Sequence, residues 1–359
     1  MGGEVVIQQM TIEDKPAVLS FLKKAYADNP RHSDPDYWDW HFAQAPHVND
    51  RQLPIWLAKS DNRIAGQLAT LPVELNIRDK KVKALWVLDW VVDEDFRRRG
   101  IGKKLALAAE AFSPYLLGVN TDQQHAPALL RGLDWVVVSK IPRYHKILFP
   151  GEAVRELSRV KLFRKFANAA FSPARRVRSS SNANELNVRI VETIDASFDD
   201  LWARARSQWN CSTSRDAKVL NWQFGKQPGK RFDLLACYRN EKLVGYAVIF
   251  SRKETENGSV EKAAISDICY MSDEAQLTVD KLLEAALVFC IERKIGGLVT
   301  DAIDALLENR LKHFGFWKIN SPLQLMAKAP EDRETVYEVN NWFLTRGDSD
   351  ISIFEHSNI

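Results

Sequence analysis

The stretch "VVDEDFRRRGIGKKLALAAEAF" (residues 91–112) sets an acidic turn, three consecutive arginines and a Gly-x-Gly between an apolar strand and an alanine-rich helix. Gly100 and Gly102 let the main chain approach a ligand closely. The N–H groups of the first helical turn have no intrahelical partners and stand at the positive end of the helix dipole. A strand-to-helix junction built this way suits a diphosphate. Two common phosphate-binding patterns are excluded. Leu105 stands where G-x-G-x-x-G needs its last glycine, and Ile101-Gly102 follows Gly100 where a P-loop needs Lys and Ser or Thr.

The segment resembles the acyl-CoA motif of the GNAT acyltransferase superfamily, Arg/Gln-x-x-Gly-x-Gly/Ala after a strand ending in Val. Arg97-Arg98-Arg99-Gly100-Ile101-Gly102 fits it, preceded by Val92-Asp93-Glu94-Asp95-Phe96. The resemblance continues in Leu116-Leu117-Gly118-Val119-Asn120, a strand with an Asn at its end, and in Ala126, Leu129 and Asp134-Trp135 of the following helix. It implies that the amides from Arg98 to Lys103 hold the pyrophosphate of acetyl-CoA or another acyl-CoA, used as co-substrate without a metal. Arg97, Arg98 and Arg99 would add charge there, with Asn120 beside the cofactor. Val91 or Val92 would offer a backbone N–H to the thioester carbonyl.

The chain is duplicated. "YWDWHFAQAP" (37–46) ahead of "IWLAKSDNRIAGQLATLPV" (55–73) parallels "VLNWQFGKQP" (219–228) ahead of "LLACYRNEKLVGYAVIF" (234–250). Each pair reads as a short helix followed by a hairpin, with polar turns at Ser60-Asp61-Asn62 and Arg239-Asn240-Glu241. Further on, "WVLDWVVDEDF" (86–96) parallels "AISDICYMSDEA" (264–275), each an apolar strand carrying one aspartate, Asp89 or Asp267. A repeat of this length is a whole domain. The expected class is α/β, with two tandem GNAT-like domains, each a mixed, mostly antiparallel twisted sheet flanked by helices. The expected divisions are 1–150 with the intact motif, 151–185 as a basic amphipathic linker helix and flexible joint, 186–330 as a degenerate copy, and 331–359 as an extension. The copy counts as degenerate because "AQLTVDKL" after Asp273-Glu274 has neither glycine nor arginine.

Fifty basic against 47 acidic side chains give a formal charge of +3, too balanced to argue for nucleic acid. Cys211, Cys237, Cys269 and Cys290 show no metal-like spacing and read as reduced, buried thiols of a cytoplasmic protein. The basic face of 151–178 either covers a linker helix packed on a domain or touches an anionic membrane surface.

An amine nucleophile arrives as ammonium, so one proton must leave before attack. Asp89, the carboxylate inside the apolar strand, is the candidate base, although the family's glutamate falls one residue earlier, at Leu88. The alternative is that Asp89 pairs with an arginine or a backbone turn, as the retained Asp267 suggests. The family's frequent tyrosine acid falls at Leu130, leaving His125 and Tyr144 as candidate proton donors; His41 ranks below them. The function implied is acyl transfer, acetyl by default, to a primary amine of a small molecule in a ternary complex. "WFLTRGDSDI" (342–351) resembles the ending of bacterial GNAT-like proteins of surface polysaccharide work, which points to an amino sugar. The competing readings are an aminoacyl-tRNA-dependent transferase, which the intact "RRRGIG" disfavours, and a non-enzymatic acyl-CoA or membrane scaffold.

Overall fold

The computed structural model describes residues 4–48, 53–61, 63–121, 132–149, 186–229, 231–251 and 262–349. The first half begins with β1 (Val6–Gln9), α1 (Lys15–Ala25) and α2 (Pro35–Trp38), which runs into a π-helical turn, Asp39–Ala43. Then come β2 (Ile55–Ser60), β3 (Arg63–Ile77), β4 (Lys80–Val92), α3 (Ile101–Phe112), β5 (Leu116–Thr121), β6 (Val136–Lys140) and β7 (Arg143–Ile147). The second half repeats the plan with β8 (Leu186–Val191), α4 (Ala196–Ala205), β9 (Cys211–Thr213) and α5 (Ala217–Leu220), which enters its own π-helical turn, Asn221–Gly225. It continues with β10 (Phe232–Arg239), β11 (Lys242–Ser251), β12 (Ala263–Tyr270), α6 (Ala275–Glu292), β13 (Gly297–Ile303), α7 (Ala305–His313), β14 (Trp317–Ile319) and β15 (Leu323–Lys328). It closes with α8 (Arg333–Val336) and β16 (Leu344–Thr345). Both expected hairpins form. Asp61, and Asn240 with Glu241, take the left-handed backbone that tight turns between twisted strands require.

Two mixed, mostly antiparallel sheets result, in the orders β1-β2-β3-β4-β5-β15-β6 and β14-β7-β13-β12-β11-β10-β8. The halves exchange strands. β15 of the second half lies between β5 and β6, and β7 of the first half lies between β13 and β14. β9 also crosses over to pair with the far end of β3. The expected cut at 150 therefore divides the chain without dividing the sheets. Each long helix covers one face through residues at helical spacing. Ile101, Leu105 and Ala109 of α3 meet Leu85, Leu116 and Met326. Val279, Leu283 and Ala286 of α6 do the same in the second sheet.

The π-helical turns meet across an approximate two-fold axis. Trp40 Nε1 donates to the Trp222 carbonyl, and Trp222 Nε1 donates to the Trp40 carbonyl, both at 2.8 Å. Their rings stack 5.1 Å apart, 16° from parallel. Both indoles are buried, so each N–H saturates a carbonyl that water cannot reach. Trp40→Phe or Trp222→Phe keeps most of the ring but orphans one carbonyl. Each should cost about 1–3 kcal/mol, read from the shift in a urea unfolding midpoint.

Candidate acyl-transfer site

β4 and β5 are parallel and pair only at Leu85, Trp86 and Val87, opposite Leu116, Leu117 and Gly118. Beyond Val87 they part. The separation begins at a bulge. β3 and β4 stay in register from Ile77↔Lys80 to Thr70↔Val87, then slip by one residue, so that Leu68 faces Trp90. The extra residue falls at Leu88-Asp89. In such a bulge two successive side chains turn to one side. Leu88 packs among the residues around Trp40 and Trp38, and Asp89 faces the turn between α1 and α2.

Past the bulge, hydrogen bonding alternates along β4. Asp93 N donates to the Ala65 carbonyl at 2.9 Å, so Val91, two residues back and opposite Gln67, also bonds β3. Trp90 and Val92 then direct their main-chain groups to the edge that β5 has left. In agreement, the Val92 carbonyl accepts from Arg97 Nε on that side, at 3.3 Å.

The chain turns at the end of this edge through a 3-10 segment, Glu94–Phe96, into α3. Arg98 and Gly100 both adopt positive φ, 63° and 73°, so the chain bends sharply where α3 begins. A Cβ built on Gly100 meets nothing within 4 Å. The bend therefore opens to solvent, with Arg97, Arg98 and Arg99 exposed around it. Arg97 pairs with Glu94 at 3.2 Å, and Arg99 donates to the Asp95 carbonyl at 2.8 Å. These contacts are solvated and weak enough to exchange for a diphosphate.

Asp89 and His32 are each more than nine-tenths buried, with His32 Nδ1 3.2 Å from Asp89 Oδ1. The 3-10 turn Pro30–Ser33 holds the imidazole there, and Tyr26, the residue that caps the end of α1, stacks on it at 4.0 Å. His41, one residue past Trp40, is enclosed by Tyr37, Trp40, Phe42 and Trp222. Burial drives its pKa down to about 4, against the opposing pull of Asp89. Gln67 is fully buried on the Val91 side of the sheet, with no hydrogen-bond partner for its amide among the described residues.

The second sheet repeats this plan and fills it. β12 pairs with β13 only at Ala263 and Ala264, and the slip against β11 falls beside Asp267. The wedge is occupied by the chain's own tail. β16 pairs with β13, and a Cβ on Gly347 would lie 3.2 Å from the Ser266 carbonyl. Asp267 accepts from Arg215 Nε at 3.1 Å, Tyr246 Oη at 2.7 Å and Thr345 Oγ1 at 2.6 Å. Arg215 also bonds Asp348, and Arg346 bonds Asp301. Where α3 begins at Gly100, α6 begins at Glu274, whose carboxylate pairs with Arg239. An acidic side chain at that point repels a diphosphate.

Residues 6–111 match the family model of the acetyltransferase (GNAT) domain. They are a GNAT domain. Among solved structures, a probable N-acyltransferase from Enterococcus faecalis V583 is 12% identical with a TM-score of 0.62, covering 90% of this chain and 72% of that one. A GCN5-related N-acetyltransferase from Anabaena variabilis is 13% identical with a TM-score of 0.61 and the same coverages. Saccharomyces cerevisiae N-myristoyltransferase with bound myristoyl-CoA is 10% identical with a TM-score of 0.57, covering 90% and 82%. A search of curated proteins gave no match. The structural likenesses show the fold, two mixed sheets in tandem, and the family match is to residues 6–111.

Of the residues singled out from sequence, the GNAT domain brings together Asp89, Val91, Val92, Arg97, Arg98, Arg99, Gly100, Ile101, Gly102 and Lys103. Ile101, the first residue of α3, buries its side chain. Asn120 stands on β5 across the wedge, opposite Gln324 of β15. Tyr144 does not join the site. Strand exchange carries it into the second sheet, between Thr300 and Lys318, where burial raises its pKa and encloses the ring. His125 and the linker 151–185 lie outside the described residues. His32 escaped sequence reasoning, because its spacing to Asp89 follows no periodicity. The one signal was the duplicate, where Arg215, the partner of Asp267, stands ahead of the Trp-x-Phe turn as His32 does.

His41 remains neutral when folded but takes a proton near pH 6.5 once unfolded. Stability is thus complete above pH 6.5 and falls as pH drops toward about 4, a loss of about 3 kcal/mol across that window. His41→Gln, which copies Gln223 of the second half, should flatten this dependence. Denaturant midpoints of both proteins from pH 7 to pH 4 measure the difference.

Proposed function

We propose that the chain transfers an acyl group, acetyl by default, from acyl-CoA directly to a primary amine of a small molecule such as an amino sugar. The observation that carries this reading is the open, arginine-ringed bend at Gly100 at the foot of the β4–β5 wedge. Its free space and the first-turn amides of α3 suit a diphosphate, and the wedge offers the thioester a path along the edge of β4. The chemistry the acyl-CoA supplies is an activated carbonyl with a thiolate leaving group.

The protein's part is to orient, polarise and take a proton. Main-chain N–H groups of Trp90 and Val92 face the open edge, and Val92 suits the family's role of donor to the carbonyl oxygen. Asp89 lies on the other face of the bulge, on the helical side from which an acceptor would approach. There it accepts the proton that an ammonium must lose. The bulge also explains how a base at position 89 serves where the family pattern places one at 88, since both side chains turn to the same face. No cysteine lies in the first half, consistent with direct transfer and no acyl-enzyme.

Gly100→Val tests the cradle. A Cβ there meets nothing within 4 Å, so the fold should lose about 1–2 kcal/mol, chiefly left-handed backbone strain. The methyl groups would occupy the space a diphosphate needs. Calorimetric titration with acetyl-CoA should show saturable binding by the wild type and at least a tenfold weaker affinity in the variant. Wild-type protein that takes up neither acetyl-CoA nor longer acyl-CoAs would overturn the proposal.

A further inference from the structure

The two halves keep one aspartate at one place in the same bulge but give it different partners. In the second half Asp267 is held by Arg215, a guanidinium that carries its full set of protons and has no lone pair to accept another. In the first half the facing group is the imidazole of His32, at 3.2 Å, which has one. The copy that lost its diphosphate cradle also has the inert partner. We infer that His32 is a positioning residue for the acceptor half of the reaction: with its own hydrogen on Nε2, it turns the Nδ1 lone pair to the Asp89 carboxylate and receives there the proton that Asp89 takes from the amine. This inference rests on the acyltransferase reading.

The step balances. An N–H bond of the ammonium breaks as an O–H bond forms on Asp89. That proton moves on to His32 Nδ1, restoring the carboxylate and leaving the amine lone pair free to attack. The second proton lost by the acylating nitrogen leaves on the CoA sulfur as the thiol. The imidazolium discharges to solvent when products depart. The setting supports this role from every side. Tyr26, at the end of α1, stacks on the ring, and Tyr37 of α2 takes the Arg31 guanidinium against its own ring, 4.2 Å away. His41, the other imidazole beside Asp89, is kept neutral by burial and does not compete for the proton.

The test uses the full chain with acetyl-CoA and two probes, glucosamine, which arrives largely as ammonium, and hydroxylamine, which is already neutral at pH 7. For glucosamine, His32→Gln and His32→Arg should lower kcat on the order of 10-fold or more, with the KM for acetyl-CoA unchanged. Asp89→Asn should do the same, and the double variant His32→Gln/Asp89→Asn should be no slower than Asp89→Asn alone. Hydroxylamine turnover should survive in all of them. Unchanged glucosamine turnover in His32→Gln, multiplying losses in the double variant, or equal loss with hydroxylamine would each overturn the inference. A readout that needs no acceptor separates it from the parent proposal. The 15N signal of His32 Nδ1 in labelled protein should move on Asp89→Asn, and an unmoved signal breaks the pair whether or not acetyl-CoA binds.

Discussion

Parallel strands that separate after three paired residues leave main-chain donors and acceptors that the sheet cannot satisfy. The proposed site is built on that separation between β4 and β5. Buried backbone groups demand partners, so a wedge of this kind must be filled by a ligand, by water or by more protein. The bulge at Leu88-Asp89 starts the divergence and also turns a carboxylate toward the helices. One irregularity thus sets a hydrogen-bonding edge and a buried carboxylate on the same strand.

The second sheet shows the other solution to the same problem. Its wedge is closed by β16 and by a buried set of charges in which Arg215 meets Asp267 and Asp348 while Arg346 meets Asp301. Burying charges costs solvation that pairing at best returns. The arrangement is therefore better understood as fixing the tail in one register than as a source of stability. The two halves meet through the Trp40–Trp222 exchange, which ties the helical side of each sheet to the other.

Much of this was legible in the sequence because it is local. The hairpin turns at Asp61 and Asn240-Glu241 are written in polar residues that tolerate left-handed backbone. The Gly100 bend announces itself by glycine and arginine between a strand and a helix. Strand exchange was not legible, since β7 and β15 carry alternating patterns that fit any sheet edge, and so Tyr144 was placed with the wrong sheet. The bulge was missed for a related reason. Counting by twos along 86–92 assumes an unbroken pleat, and one inserted residue reverses which side chains share a face. His32 lies 57 positions from Asp89 and is joined to it only by the packing of a turn on a sheet.

The exchanged strands set the order in which the molecule can come into being. The sheet that bears the β4–β5 wedge holds β15 between β5 and β6, so it stays incomplete until residue 328 has left the ribosome. The other sheet needs β7 from the first half and takes its last strand from positions 344 and 345. Neither half can be born as a finished unit and wait for the other. The duplicated chain has become a single folding event, with its tail as the final piece.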